Sequence, residues 1–94
     1  MQVINLLRIM SSIIDLQWEI AYLKIERLDI ERRFDRQVDI EVDMNNLGGK
    51  APCFSQHTAY ELKVNKQKID KLMDELMDLR SVRSEIIRES NVDQ

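Results

Sequence analysis

The feature that most constrains this chain is an apolar heptad repeat that runs through its N-terminal part without a glycine or a proline. With position a placed at Leu6, eight of the ten a and d sites up to Gln37 are apolar. They are Leu6, Ile9, Ile13, Leu16, Ile20, Leu23, Ile30 and Phe34. Spacings of three and four residues put these side chains on one face of an α-helix. The sequence therefore predicts a long helix that packs against another helix.

A second apolar repeat occupies the C-terminal part of the chain. Its a and d sites include Leu62, Ile69, Leu72, Leu76, Leu79 and Ile86. Gly48, Gly49 and Pro52 fall between the two repeats, where such residues end helices. The predicted fold is all-α, a long, coiled-coil-like antiparallel hairpin of two helices. We expect a single domain over 1–94, with a helix at 3–43, a loop at 44–57 and a helix at 58–90.

Two local patterns bear on where these helices begin and end. Thr58 and Glu61 have the spacing of a capping box, which predicts Thr58 as the N-cap of the second helix. Residues 38–44 alternate apolar and acidic side chains, a pattern typical of a strand. Because a lone strand would need a second copy of the chain to pair with, we favour continuation of the first helix.

Charged residues on the two sides of the loop favour an antiparallel arrangement. Asp39, Glu41 and Asp43 precede the loop, whereas Lys63, Lys66, Lys68 and Lys71 follow it. A turn centred near Ala51 would place the two groups side by side. Such exposed pairs contribute at most ~1 kcal/mol each, so they select a register more than they stabilise it.

The first helix carries more apolar side chains than one partner helix covers. Besides the a/d face it has a second apolar stripe, for which we predict an interface made by Ile4, Leu7, Met10, Ile14, Trp18, Ile25 and Leu28. With the turn near Ala51, residues 3–12 would also extend beyond the end of the second helix. A homodimer that forms a four-helix bundle would cover both surfaces.

Three polar residues interrupt the predicted seam between the helices. Arg27 and Arg83 occupy a positions and Asn65 occupies a d position. Each either extends towards solvent or pairs with a carboxylate at the seam edge. Polar residues at such positions fix register at a cost in stability. An arginine that merely flanks a frayed seam is the alternative interpretation.

Composition excludes several classes of protein. The 94 residues carry a net charge of −3, which argues against nucleic-acid binding and against a basic membrane-surface helix. No apolar run has the length of a membrane span, and the N-terminal segment lacks the features of a signal peptide. A single cysteine, Cys53, allows neither an intrachain disulfide nor a cysteine-based zinc site. We therefore expect a cytoplasmic protein.

The sequence offers no convincing catalytic, cofactor or metal site. The run from Asp39 begins like a calcium-binding EF-hand loop, but Met44 and Lys50 stand where that loop requires Gly and Glu. A Cys53–His57 nucleophile pair lacks a third, orienting group. We therefore predict a chain that is not an enzyme and has no cofactor.

Two functional hypotheses follow from these patterns. In the first, the chain is a small adaptor, regulator or chaperone that binds a partner protein through the second apolar stripe. In the second, the helices form a stalk, and the acidic tip of the hairpin (Asp39, Glu41 and Asp43) is the working end. The two hypotheses differ in where substitutions would abolish activity.

Overall fold

The computed structural model describes residues 2–49 and 54–92 of the chain. They form two helices, α1 over Gln2–Asn46 and α2 over Phe54–Val92, and no strand. The predicted all-α helical hairpin is therefore confirmed for these residues. The helix α1 runs without interruption through 38–44, so the helical interpretation of this segment is correct.

The heptad frame explains why 38–44 is helical despite its alternating pattern. Continued from Leu6, the frame places Glu41 at a and Met44 at d, and both side chains are half-buried. Ile40 and Val42 are exposed. The seam therefore continues to the end of α1 with a/d spacing, and its tertiary contacts override the local strand pattern.

The end of α1 is a Schellman motif. The N–H of Gly49 donates to the carbonyl of Met44 over 3.0 Å, and the N–H of Gly48 donates to that of Asn45 over 3.1 Å. Gly48 has a φ of 80°, in the left-handed region that a residue without Cβ adopts most easily. The left-handed conformation of Gly48 reverses the backbone, so that the N–H groups of Gly48 and Gly49 satisfy two of the last carbonyls of α1. The helix therefore ends here.

The predicted start of α2 at Thr58 is wrong. The helix begins at Phe54, so Thr58 lies inside its second turn and is not an N-cap. Its hydroxyl instead donates to Oε1 of Gln37 on α1, and Thr58 is buried. Glu61, the expected capping partner, contacts Arg33 and His57. The capping-box spacing was coincidental, because Thr58 and Glu61 lie within α2 and make side-chain contacts there.

The chain divides into two compact units, and the first has an apolar core. It combines the N-terminal half of α1 with the C-terminal half of α2, within Met1–Tyr22 and Ile69–Gln94. The cluster comprises Ile13, Ile20 and Leu76, against which Ile9, Leu16, Leu72 and Leu79 pack. Burial of these a and d side chains supplies the driving force for pairing the helices in this unit.

The second unit, Leu23–Lys68, has a seam in which polar contacts join the helices. The carboxylate of Glu41 accepts from Ser55, Gln37 accepts from Thr58, and Arg33 pairs with Glu61 over 3.1 Å. Ile30 is buried in the same unit. These directional contacts fix the register of the two helices, a task that a purely apolar seam performs less strictly.

The helix register predicted from a turn centred near Ala51 is also wrong, although Ala51 itself lies outside the described residues. The hydrogen bonds that join Arg33 to Glu61, Gln37 to Thr58, Glu41 to Ser55 and Leu23 to Asn65 connect residues whose midpoints lie at or before Gly48. This register brings Glu41 to Ser55 rather than to a lysine. The expected pairing of the acidic run with the lysines of α2 is therefore replaced by hydrogen bonds at the start of α2.

The observed register also removes the predicted overhang on the seam side of α1. Ile9 packs against the apolar core of the first unit, and Leu6 is half-buried. By contrast, Val3, Ile4, Leu7 and Met10 remain exposed. The segment 3–12 is therefore partly covered by α2, and what remains uncovered is a face of the helix rather than its end.

Candidate protein-interaction surface

The seven side chains predicted to form an interface on α1 are all exposed. Ile4, Leu7, Met10, Ile14 and Trp18 belong to the first unit, and Ile25 and Leu28 belong to the second. Their exposed fractions lie between 42% for Met10 and 74% for Trp18. Large apolar side chains are costly to leave in water. These seven side chains therefore form an apolar surface whose burial against another protein surface would be favourable.

Six of these seven side chains, all but Met10, follow a regular spacing of their own. Steps of three and four residues connect the residues that we call the outer face: Ile4, Leu7, Ser11, Ile14, Trp18, Ala21, Ile25 and Leu28. All eight are exposed, and Ser11 is the one polar member. This is the spacing of a coiled-coil seam, so α1 carries two such seams. The a/d seam is used within the hairpin, and the outer face is exposed.

Charged residues border the outer face on both flanks. Arg8, Asp15 and Asp29 lie along one flank, and Lys24 and Glu31 lie along the other. Nε of Arg33 lies 3.3 Å from Asp29, and Nε of Arg27 lies 3.4 Å from Glu31. Of the alternatives for the seam arginines, Arg27 thus pairs with a carboxylate, that of Glu31 on the same helix. In coiled coils, mixed charges at such flanking positions help select the partner helix and its orientation.

A groove of about 270 Å³ in the second unit is a lesser candidate. His57, Tyr60, Glu61 and Asn65 of α2 line it, together with Ile30 of α1. Nε2 of His57 lies 3.0 Å from Oε1 of Glu61, and His57 is largely exposed. Cys53, the other member of the nucleophile pair that the sequence argues against, lies outside the described residues. The groove is open and shallow, which suits a side chain of a partner better than a small-molecule substrate.

The acidic tip of the hairpin contains one residue with a structural role. The carboxylate of Glu41 accepts the backbone N–H of Ser55 over 3.0 Å and its hydroxyl over 2.6 Å. The hydroxyl and the N–H together lower the pKa of Glu41 below its usual 4.5, because both stabilise the ionised carboxylate. Glu41 thereby caps an N–H in the first turn of α2. Asp39 and Asp43 remain exposed.

Sequence reasoning missed the polar contacts between the helices. Gln37, Glu41 and Asn65 occupy a or d positions, and their place on the seam was visible in the sequence. Their partners were not, because these depend on the register that the turn imposes. Within the described residues, no group of three or more His, Cys, Asp or Glu side chains is arranged to hold a metal ion.

No protein-family model matches the chain, and no curated protein or solved structure matches it. Neither helix, over its described residues, has a stretch that is long and apolar enough to cross a membrane. The geometry of the outer face is therefore the main guide to function.

Proposed function

We propose that this chain is a non-catalytic protein-interaction module, an adaptor, regulator or chaperone, that binds a helix of a partner protein through the outer face of α1. The observation that carries the proposal is the exposure of six large apolar side chains at coiled-coil spacing on a helix whose opposite seam is already occupied. A partner helix with matching spacing would bury them by the same packing that joins α1 to α2.

Trp18 is the expected anchor of this interaction. It is the largest side chain of the outer face, and it has the highest exposed fraction among the seven predicted interface residues. The small side chain of Ala21 lies beside it, one helical turn along, and Gln17 borders the same shallow depression. Tryptophan side chains at the centre of an interface commonly carry a large share of the binding free energy.

Affinity capture with matched variants tests the proposal. The chain, its Trp18→Ala variant and its Met77→Ala variant are each immobilised and exposed to extract of the source cells, and bound proteins are identified by mass spectrometry. Met77 is a suitable control because it is 62% exposed but lies on α2. We expect a protein that Trp18→Ala loses and Met77→Ala retains, with at least tenfold weaker binding to Trp18→Ala when both are purified.

The same experiment separates this proposal from a working end at the hairpin tip. An Asp39→Asn, Asp43→Asn double variant removes the two exposed carboxylates and leaves Glu41 on Ser55. Retention of the partner by this variant is expected. Loss of the partner here, together with its retention by Trp18→Ala, would contradict binding through the outer face and favour the acidic tip.

A further inference from the structure

The outer face of α1 has a pattern that suits a second copy of itself. Its eight residues alternate steps of three and four over the whole length from Ile4 to Leu28. Two identical helices with such a pattern can align so that every apolar residue of one meets an apolar residue of the other. Self-association would then use the surface that the proposed function assigns to a partner protein.

The charged flanks distinguish between the two full-length alignments of such a pair. In the antiparallel alignment, Ile4 faces Leu28 of the second copy and Ile14 faces Trp18, which brings Asp15 beside its own equivalent. In the parallel alignment, Lys24 of each helix faces Asp29 of the other. Charges on the flanks of a seam set the orientation of paired helices, so the parallel alignment is favoured.

The polar member of the outer face supports the same orientation. In a parallel pair, Ser11 meets Ser11 of the second copy, and the two hydroxyls can hydrogen-bond to each other. In the antiparallel pair, Ser11 would face Ala21, which has no hydrogen-bonding group. A polar residue that meets its own equivalent in a seam also fixes the register of a parallel pair.

We propose that, when no partner protein is bound, two copies of the chain associate through their outer faces as a parallel, in-register pair of α1 helices. This inference rests on the proposed function in assigning the outer face as the docking surface. It adds that dimerisation and partner binding are mutually exclusive. The dimer thereby regulates the site, because a partner must displace the second copy.

Disulfide trapping tests the orientation directly. Cys53 is first replaced by Ser, which removes the native thiol, and Ser11→Cys is then introduced. A parallel, in-register pair brings the two new thiols within the range of a few ångströms that a disulfide requires. We expect a covalent dimer under mild oxidation. Ser12→Cys, also exposed but one residue further around the helix, is the matched control and should remain uncrosslinked.

Charge reversal provides a second, independent measurement. Lys24→Glu should weaken dimerisation about tenfold in sedimentation equilibrium, because two attractive pairs become repulsive. Combining it with Asp29→Lys should restore the dimer, since the charges are exchanged rather than removed. Circular dichroism verifies that each variant keeps its helicity.

Three outcomes would overturn the parallel dimer. They are a monomeric chain at ~100 μM by sedimentation, a dimer in which Ser11→Cys stays uncrosslinked, and efficient crosslinking of Ser11→Cys to Ala21→Cys, which indicates the antiparallel pair. The proposed function fails separately, if Trp18→Ala retains the captured partner. A monomeric chain that needs Trp18 for partner binding would thus refute the dimer and leave the interaction module intact.

Discussion

Nδ2 of Asn65 on α2 donates to the backbone carbonyl of Leu23 on α1 over 3.0 Å, while Oδ1 of the same amide is buried and accepts no hydrogen bond from the described residues. Asn65 is only 4% exposed. One half of the amide therefore connects the helices, and the other half is buried without a partner among the described residues. A buried, unsatisfied acceptor costs about 1–3 kcal/mol.

We expect Asn65→Leu to raise the free energy of unfolding by about 1 kcal/mol, because it removes the unsatisfied oxygen and adds an apolar side chain to a d position. Urea denaturation followed by circular dichroism measures the change. Asn65→Ala is the control, since it removes the same amide but leaves a cavity and should give no gain. A less stable Asn65→Leu variant would mean that the bond to Leu23 outweighs the buried oxygen.

The two glycines that end α1 should respond differently to alanine. At Gly48, a φ of 80° places a Cβ in a disfavoured conformation, so Gly48→Ala should destabilise the hairpin by roughly 1 kcal/mol. At Gly49, an added Cβ would meet its nearest neighbour, the carbonyl oxygen of Met44, at an ordinary 3.6 Å. Gly49→Ala should therefore change the melting temperature less. Equal effects of the two substitutions would contradict the role assigned to the Schellman motif.

The hydrogen bonds of Glu41 predict a dependence of stability on pH. Because folding lowers the pKa of this carboxyl below 4.5, its contribution is fully present above that pH and is lost as the pH falls through the folded-state pKa. Glu41→Gln should lower the melting temperature near neutral pH and reduce the loss of stability on acidification. Melting curves between about pH 7 and pH 3 measure both effects.

Asp43→Asn is the matched control for this series, because Asp43 is an exposed carboxylate close to Glu41 in the sequence. It should leave the neutral-pH melting temperature nearly unchanged. The structure thus distinguishes Glu41, which caps the start of α2, from Asp39 and Asp43, which are exposed. If the melting temperature falls equally on acidification in the parent chain and in Glu41→Gln, this assignment is contradicted.

A comparison of Trp18 with Leu72 tests whether the outer face of α1 supports association while the seam between the helices supports folding. Trp18 belongs to the outer face, whereas Leu72 packs against the apolar core of the first unit. Leu72→Ala should lower the free energy of unfolding by about 2 kcal/mol, near the lower end for buried leucines because Leu72 is half-buried. Trp18→Ala should weaken self-association or partner binding at least tenfold and preserve helicity.

The decisive readouts are a dissociation constant and a melting temperature measured for both variants, the latter at a concentration where the chain is monomeric. If Trp18→Ala binds as tightly as the parent, the outer face is not the interface. If it instead lowers the monomer's melting temperature as much as Leu72→Ala does, Trp18 contributes to the fold of the hairpin rather than to association.

Heptad spacing was sufficient to predict the hairpin and its seam. The frame set at Leu6 identifies positions that the structure buries or half-buries all the way to Met44, well beyond the last apolar residue it was based on. The same reasoning left Ile14, Trp18 and Ile25 outside the seam, and the structure exposes them. Helical periodicity is fixed by backbone geometry, so residue spacing alone determines which side chains share a face.

The register of the two helices could not be predicted in the same way. It depends on where the backbone reverses, and the sequence from Asn45 to His57 contains several residues that favour a turn. An error of a few residues at Ala51 shifted every expected partner across the seam, including the lysines assigned to the acidic run. Thr58 illustrates the consequence. Its spacing to Glu61 suggested an N-cap, but in the folded hairpin Thr58 is a buried residue of the seam.

The two seams of α1 make the chain sensitive to changes in length rather than in residue identity. Within Ile4–Leu28 each helical turn contributes to both faces, and one inserted residue rotates all that follows by about 100°. After such an insertion, the a/d residues that follow it leave the seam of the hairpin, and the outer-face residues that follow it leave the outer face. Substitutions alter one contact at a time, whereas a frame-preserving insertion of a single codon in this segment would disrupt the hairpin core and the outer face together.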